Sequence, residues 1–159
     1  MVDAIPDNYP QVSPYLHVDG AAEAIKFYED VFGAAERMRM PDPSGKIGHA
    51  ELQLGDSVIM LADEYPDMGI RGPAAYGGSP VTISLYVEDV DEVFQKAIES
   101  GAKALQELSN QFYGDRTGQF EDPWGHRWSV ASRVEEVSPE EMQRRAAESM
   151  GGLGEMPED

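Results

Sequence analysis

The sequence contains no cysteine. Disulfide bonds, thiolate nucleophiles and thiolate metal sites are therefore excluded, and a cytoplasmic location is the default expectation. Positive charge is scarce: 12 Lys and Arg stand against 30 Asp and Glu, a formal net charge of −18. A surface this acidic repels phosphate backbones and anionic membranes, so neither a nucleic-acid nor a membrane partner is expected. No apolar run approaches the length of a membrane-crossing helix. The first residues, Met1 to Asp7, hold no basic region and no apolar stretch, so no secretory signal is expected. What is present is a chain of 159 residues, enough for one domain with a sizeable core or for two small half-domains sharing one.

Spacing gives the order of elements. Residues 12–19 alternate as a strand does. A helix is predicted from about Gly20 to Phe32, where Ala21, Ala24, Ile25, Tyr28, Val31 and Phe32 share one apolar face. Asp19 stands where its N-cap belongs and Gly33 where a left-handed terminating residue belongs. Residues 34–40 form a weaker strand, and Pro41 to Gly45 a loop. Residues 46–54 and 57–62 form two strands joined by a tight turn at Gly55-Asp56. Residues 64–80, rich in Gly, Pro, Ala and Tyr, lack periodicity and read as a connector.

The pattern then restarts. Residues 81–88 alternate, and Asp89 with Glu92 makes a capping-box-like helix start. Val90, Val93, Phe94, Ala97 and Ile98 supply the apolar face and Gly101 the stop. Strands are predicted at 102–108, 115–121 and 126–132, the last two around the turn Asp122-Pro123-Trp124-Gly125. A third helix over 138–149 starts with Ser138 as cap, Pro139 at the first helical position, and Glu140 and Glu141 in the first turn. Strand, helix, strand, strand, strand thus occurs twice, with Leu16-His17-Val18-Asp19 matching Leu85-Tyr86-Val87-Glu88. Each half has a sheet with one face covered by a helix. The other face must be covered by a partner half or line a cavity.

The paired modules resemble the vicinal oxygen chelate superfamily (glyoxalases, bleomycin-resistance proteins and dioxygenases). The residues that carry the resemblance are Pro14-Tyr15-Leu16-His17-Val18, Ala24-Ile25-Lys26-Phe27-Tyr28, Gly33-Ala34, His49-Ala50-Glu51-Leu52, and the hairpin text from Glu121 to Trp128. Tyr113-Gly114-Asp115-Arg116 and the run from Val137 to Met142 are similar to its PhnB-like group. The match covers about residues 10–145. It implies an α+β fold: two tandem βαβββ modules forming an open, barrel-like mixed-sheet cleft, plus a C-terminal helix. The glyoxalase-like domain is expected over residues 1–135, with module one at about 10–64, a linker at 65–79 and module two at 80–132. The helix follows at 136–149 and an unstructured tail at 150–159.

In metal-dependent relatives, ligands come from the first, fourth, fifth and eighth strands. The resemblance places Ser13, Met60, Thr82 and Ser129 at those positions. None is an imidazole or a carboxylate, so no metal site and no cofactor are expected, and glyoxalase I or ring-cleaving activity is disfavoured.

Strand alternation names the cleft-facing residues independently. Pairing across Gly55-Asp56 sets Leu54 opposite Ser57, Gln53 opposite Val58, Glu51 opposite Met60 and His49 opposite Ala62. Ala50, Leu52, Leu54, Ile59 and Leu61 then face a helix, while His49, Glu51, Gln53 and Met60 face the cleft. On other strands Ser13, Tyr15 and His17 share a face, as do Thr82, Ser84 and Tyr86. The two candidate acid–base residues are His49 and Glu51, because a carboxylate beside an imidazole raises its basicity; the alternative is a self-satisfied polar pair. Candidate ligand contacts are Tyr15, Gln53, Met60, Ser84, Tyr86, Tyr113, Arg116 and Trp124. Arg116 either recognises an anionic group or pairs with a surface carboxylate. Trp124 either closes over a ligand or packs. His17 faces the cleft or water, and His126 points away from the cleft, bonding a backbone carbonyl.

The leading expectation is a metal-independent protein that binds a small molecule in the manner of the bleomycin-binding branch, a cationic one being suited to an acidic cleft. The alternatives are a lyase or isomerase using His49 and Glu51, and a non-catalytic regulatory or assembly protein. The resemblance further suggests a homodimer with two clefts at its interface, although the two modules of one chain could also close one cleft.

Overall fold

The six apolar residues at helical spacing in the first module are all buried on one side of α1 (Ala21–Phe32). Gly33 ends this helix in the left-handed conformation, φ 73°, and its N–H bonds the Glu29 carbonyl at 3.0 Å. The start differs from expectation. Gly20, not Asp19, is the N-cap, and Asp63 from a neighbouring strand accepts the Gly20 and Ala21 N–H groups at 3.0 and 2.8 Å. Gly20 turns at φ 110°, and strand pairing sets Val18 beside Asp63, so a carboxylate distant in sequence does the capping.

The computed structural model describes residues 1–151. Around α1 lie β1 (Tyr15–Val18), β2 (Ala35–Pro41), β3 (Ile47–Leu54) and β4 (Ser57–Asp63), in the sheet order β1-β4-β3-β2. Two short 3-10 turns, Pro66–Met68 and Pro73–Tyr76, punctuate the connector. The second module repeats the plan with β5 (Thr82–Tyr86), α2 (Val90–Glu99), β6 (Lys103–Asn110), β7 (Asp115–Glu121) and β8 (Arg127–Arg133), in the order β5-β8-β7-β6. In each sheet the first strand runs parallel to the last and the other pairs are antiparallel. Asp89 caps α2 by accepting the Glu92 N–H at 3.1 Å. α3 spans Pro139–Gly151, two residues past the expected end, with the Ser138 hydroxyl accepting the Glu141 N–H. The rest of the expected tail, residues 152–159, lies outside the described residues.

The two sheets do not close into one barrel. Their helix-facing sides share a single core: Ala50, Leu52, Ile59 and Leu61 from sheet one, Phe120, Trp128 and Val130 from sheet two, with both helices. Phe32 of α1 packs on Trp128 at 4.7 Å and on Phe120 at 6.1 Å between ring centroids. Each such aromatic stabilises the joint by about 1.5–3 kcal/mol through apolar burial. With the core between the sheets, their opposite faces point outward. Within one chain, therefore, the two open faces do not meet. Tyr15 on sheet one and Tyr86 on sheet two are 42% and 67% exposed.

Candidate functional site

The β3–β4 hairpin has the expected register: Leu54 with Ser57, Gln53 with Val58 and Glu51 with Met60. Side-chain parity follows from it. Ala50 and Leu52 go under α1, while His49, Glu51 and Gln53 go to the open face. Parallel pairing of Tyr15 with Met60 brings β1 alongside, so Tyr15, His49, Glu51 and Met60 form one group on sheet one.

Glu51 is the centre of this group and is only 4% exposed. Its Oε2 accepts from His49 Nε2 at 2.9 Å, and its Oε1 accepts from the Tyr9 hydroxyl at 2.8 Å. Arg37 Nε stands 4.0 Å from Oε1. Burial pushes the Glu51 carboxyl upward, but the His49 and Tyr9 hydrogen bonds and the charges of His49 and Arg37 outweigh it, and the net position is below the ordinary value. An ionised Glu51 can only accept, so His49 Nε2 carries the proton. In the neutral imidazole Nδ1 is then the acceptor for the Tyr15 hydroxyl, 2.8 Å away. The Tyr15 hydroxyl is itself pushed up by burial and by the Glu51 charge. The result is a chain Tyr15–His49–Glu51–Tyr9 in which both imidazole nitrogens are occupied.

Tyr9 and Arg37 were not expected here. Tyr9 lies in the irregular segment before β1, where neither alternation nor helical spacing marks a residue. Arg37 stands at an irregularity of the β2–β3 pairing, between Glu36 opposite Leu52 and Met38 opposite Glu51. Simple parity cannot say which face such a residue takes. The Arg37 guanidinium lies over the Tyr9 ring at 4.5 Å, and its Nη1 is buried without a partner.

The remaining candidates lie elsewhere. Gln53 is on the same open face but bonds the Gly55 carbonyl at 2.7 Å. It lines a groove of about 430 Å3 beside Tyr9 and Arg37. Ser84 and Tyr86 are on the open face of sheet two, Ser84 paired with Ser129. The Tyr86 hydroxyl bonds Asp115 Oδ2 at 2.5 Å, and Tyr86 and Tyr113 line a groove of about 640 Å3 with Asp115 and Arg133. A groove of about 800 Å3 runs between the end of α1, the β3–β4 turn and β5; it includes Ser84 and Tyr86 but neither His49 nor Glu51. Arg116 points to the helix side, where it grips Asp91 with Nη2 at 2.9 Å and Nε at 3.1 Å and reaches Asn110 at 3.2 Å. Trp124 packs edge-on against Phe27 at 5.7 Å and donates to the Asp19 carbonyl at 3.0 Å. His126 Nε2 lies 3.0 Å from the His17 carbonyl. His17 is half-buried beside Tyr15, and burial together with the nearby His126 lowers its basicity.

At the family's metal-ligand positions the donor set does not fit a divalent ion. Ser13 Oγ is buried without a partner, Met60 sits beside Glu51, and Thr82 and Ser129 belong to the other sheet. Three hydroxyls and a thioether are poor ligands for such an ion. Among the described residues no group of three or more His, Cys, Asp or Glu is placed to hold one. No helix among them is long and apolar enough to cross a membrane.

Residues 11–130 match the glyoxalase family, described as the Glyoxalase/Bleomycin resistance protein/Dioxygenase superfamily. The chain is 46% identical over 148 residues to the uncharacterized protein Rv0887c of Mycobacterium tuberculosis (strain ATCC 25618 / H37Rv), covering 91% of this chain and 86% of that one. Protein PA1353 from Pseudomonas aeruginosa is similar in structure, with a TM-score of 0.66 and 27% identity over 79% of this chain and 99% of that one. A PhnB protein from Bacillus cereus shares the fold, with a TM-score of 0.63 and 19% identity over 77% of this chain and 99% of that one. The chain belongs to the glyoxalase/bleomycin resistance protein/dioxygenase superfamily.

Proposed function

We propose that this protein binds a small organic molecule without a metal ion, in clefts that form between the open sheet faces of two copies of the chain. The observation that carries this reading is the ordered polar group on sheet one, with Glu51 ionised and buried beneath Tyr9, His49 and Arg37. Glu51, His49 and Arg37 fix the polar part of a ligand while Met60 supplies apolar wall. The open face of sheet two offers Thr82, Ser84 and Tyr86. Neither face encloses a ligand alone, because both are turned outward in one chain, and a second copy supplies the missing wall. The charge of −18 favours a cationic ligand.

A cationic glycopeptide antibiotic titrated into the protein by calorimetry tests the ligand class, and light scattering tests the dimer. The expected results are heat with micromolar affinity that falls at least tenfold in Glu51→Gln, and a mass of two chains. A monomer at all concentrations would remove the interfacial cleft; no heat at high micromolar concentration would remove this ligand class.

A lyase or isomerase is the second reading, favoured by the 2.9 Å contact between His49 and Glu51. It needs a free imidazole nitrogen, so the Tyr15 hydroxyl must leave Nδ1 before His49 can take a substrate proton. Turnover unchanged in Glu51→Gln would reject it. The regulatory or assembly reading asks for a cleft filled by bulky groups, and the polar side chains on both open faces do not favour it.

A further inference from the structure

The segment before β1 holds on to the protein by very little. Met1, Val2, Ile5 and Val12 are exposed. Its backbone makes one internal turn, Tyr9 N–H to the Pro6 carbonyl at 3.3 Å, and its first backbone bond to a strand is the Pro14 carbonyl accepting from Met60 N–H at 3.0 Å. Between those points Pro10 and Ser13 are half-buried, and the side-chain hydrogen bond to the sheet is that of Tyr9. That side chain sits on the open face against Glu51 and Arg37. Its hydroxyl bonds Glu51, its ring lies under the Arg37 guanidinium, and an unpaired Arg37 N–H is buried beside it. A buried guanidinium nitrogen with no acceptor is costly in a finished contact and ordinary in a site waiting for one.

We infer that Tyr9 is an internal occupant of a subsite for a hydroxyaromatic ring, and that ligands of this class bind by displacing the N-terminal strap. This rests on the reading of sheet one as the ligand face and names the chemistry it selects. The ring hydroxyl donates to Glu51 Oε1, the ring stacks against Arg37, and a second polar substituent accepts from Arg37 Nη1. Tyr9 meets the first two requirements and cannot meet the third, which gives a free ligand its advantage over the strap. The strap competes as a tethered ligand at an effective concentration of millimolar order, so apparent affinity is reduced by the fraction of molecules in which it is seated.

The probe is p-cresol, the free equivalent of the Tyr9 side chain, titrated into the full chain and followed by heteronuclear NMR. Tyr9→Ala is expected to bind p-cresol at least about tenfold more tightly than the unaltered protein. 4-Methylanisole, which keeps the ring and lacks the donor, is expected to bind Tyr9→Ala about tenfold more weakly than p-cresol does. Tyr9→Phe is expected to fall between the unaltered protein and Tyr9→Ala, since it keeps the ring and releases Glu51. Equal p-cresol affinity in the unaltered protein and Tyr9→Ala overturns the proposal, as does equal affinity of Tyr9→Ala for the two probes. Either failure leaves the interfacial cleft standing if the cationic ligand still binds in a Glu51-dependent way. A monomeric protein with the expected p-cresol pattern would fail the cleft and keep the subsite.

Discussion

Tyr28 of α1 and Asp122 of the β7–β8 turn are joined by a hydrogen bond of 2.6 Å, buried at the joint between the two modules. Asp122 also accepts from Trp128 Nε1 at 2.9 Å and from the backbone N–H groups of Trp124 and His126, each at 3.0 Å. One carboxylate thus closes its own turn and ties it to the other module. Burial, reinforced by the Asp122 charge, drives the Tyr28 hydroxyl well above its ordinary range, so it remains a donor at all ordinary pH.

Removing either partner separates two effects. Tyr28→Phe deletes one donor and leaves Asp122 with three; the expected loss is about 1.5–3 kcal/mol. Asp122→Ala strands the Tyr28 and Trp128 donors in the core and opens the turn; the expected loss is about 2–6 kcal/mol, about 1–3 for each stranded donor. Urea unfolding of both variants and the double variant checks this. The double variant should lose less than the sum, because the two share one bond.

Gly118 on β7 tests packing without backbone strain. A Cβ there would stand 2.9 Å from two Phe94 ring carbons and 2.9 Å from a Leu108 methyl, so α2 rests on this strand only because the side chain is absent. Gly118→Ala is expected to destabilise by about 1–3 kcal/mol. In a Phe94→Leu background, where a slimmer side chain can yield, the added cost of Gly118→Ala should shrink, and denaturation midpoints of the four proteins would show it.

Legibility in the sequence followed periodicity. The two modules, the hairpin register and the inward placement of Ala50 and Leu52 could be read because alternation and helical spacing continue unbroken through those elements. The expected contact of His126 with a backbone carbonyl is also present. Arg37 could not be placed, because an irregularity in strand pairing resets parity at its own position. Nor could Tyr9, since its role depends on a chain path with no repeating geometry. The cap of α1 was misassigned to Asp19 because Asp63, which fills that role, is brought there by tertiary pairing rather than by local sequence.

Acid should act on Glu51 in a direction fixed by its surroundings. Its carboxyl sits below the ordinary 4.5 because the His49 and Tyr9 hydrogen bonds, with the charges of His49 and Arg37, overcome the opposing effect of burial. The unfolded chain therefore binds this proton more tightly than the folded one. The stability Glu51 contributes is complete above about pH 4.5 and is lost as pH falls through the lower folded value. Glu51→Gln cannot titrate, so its urea midpoint should change less than that of the unaltered protein between pH 5 and pH 3. The two curves should draw together as pH falls through the lowered folded value of Glu51. Parallel curves across that interval would show that the Tyr9, His49 and Arg37 contacts do not hold Glu51 ionised.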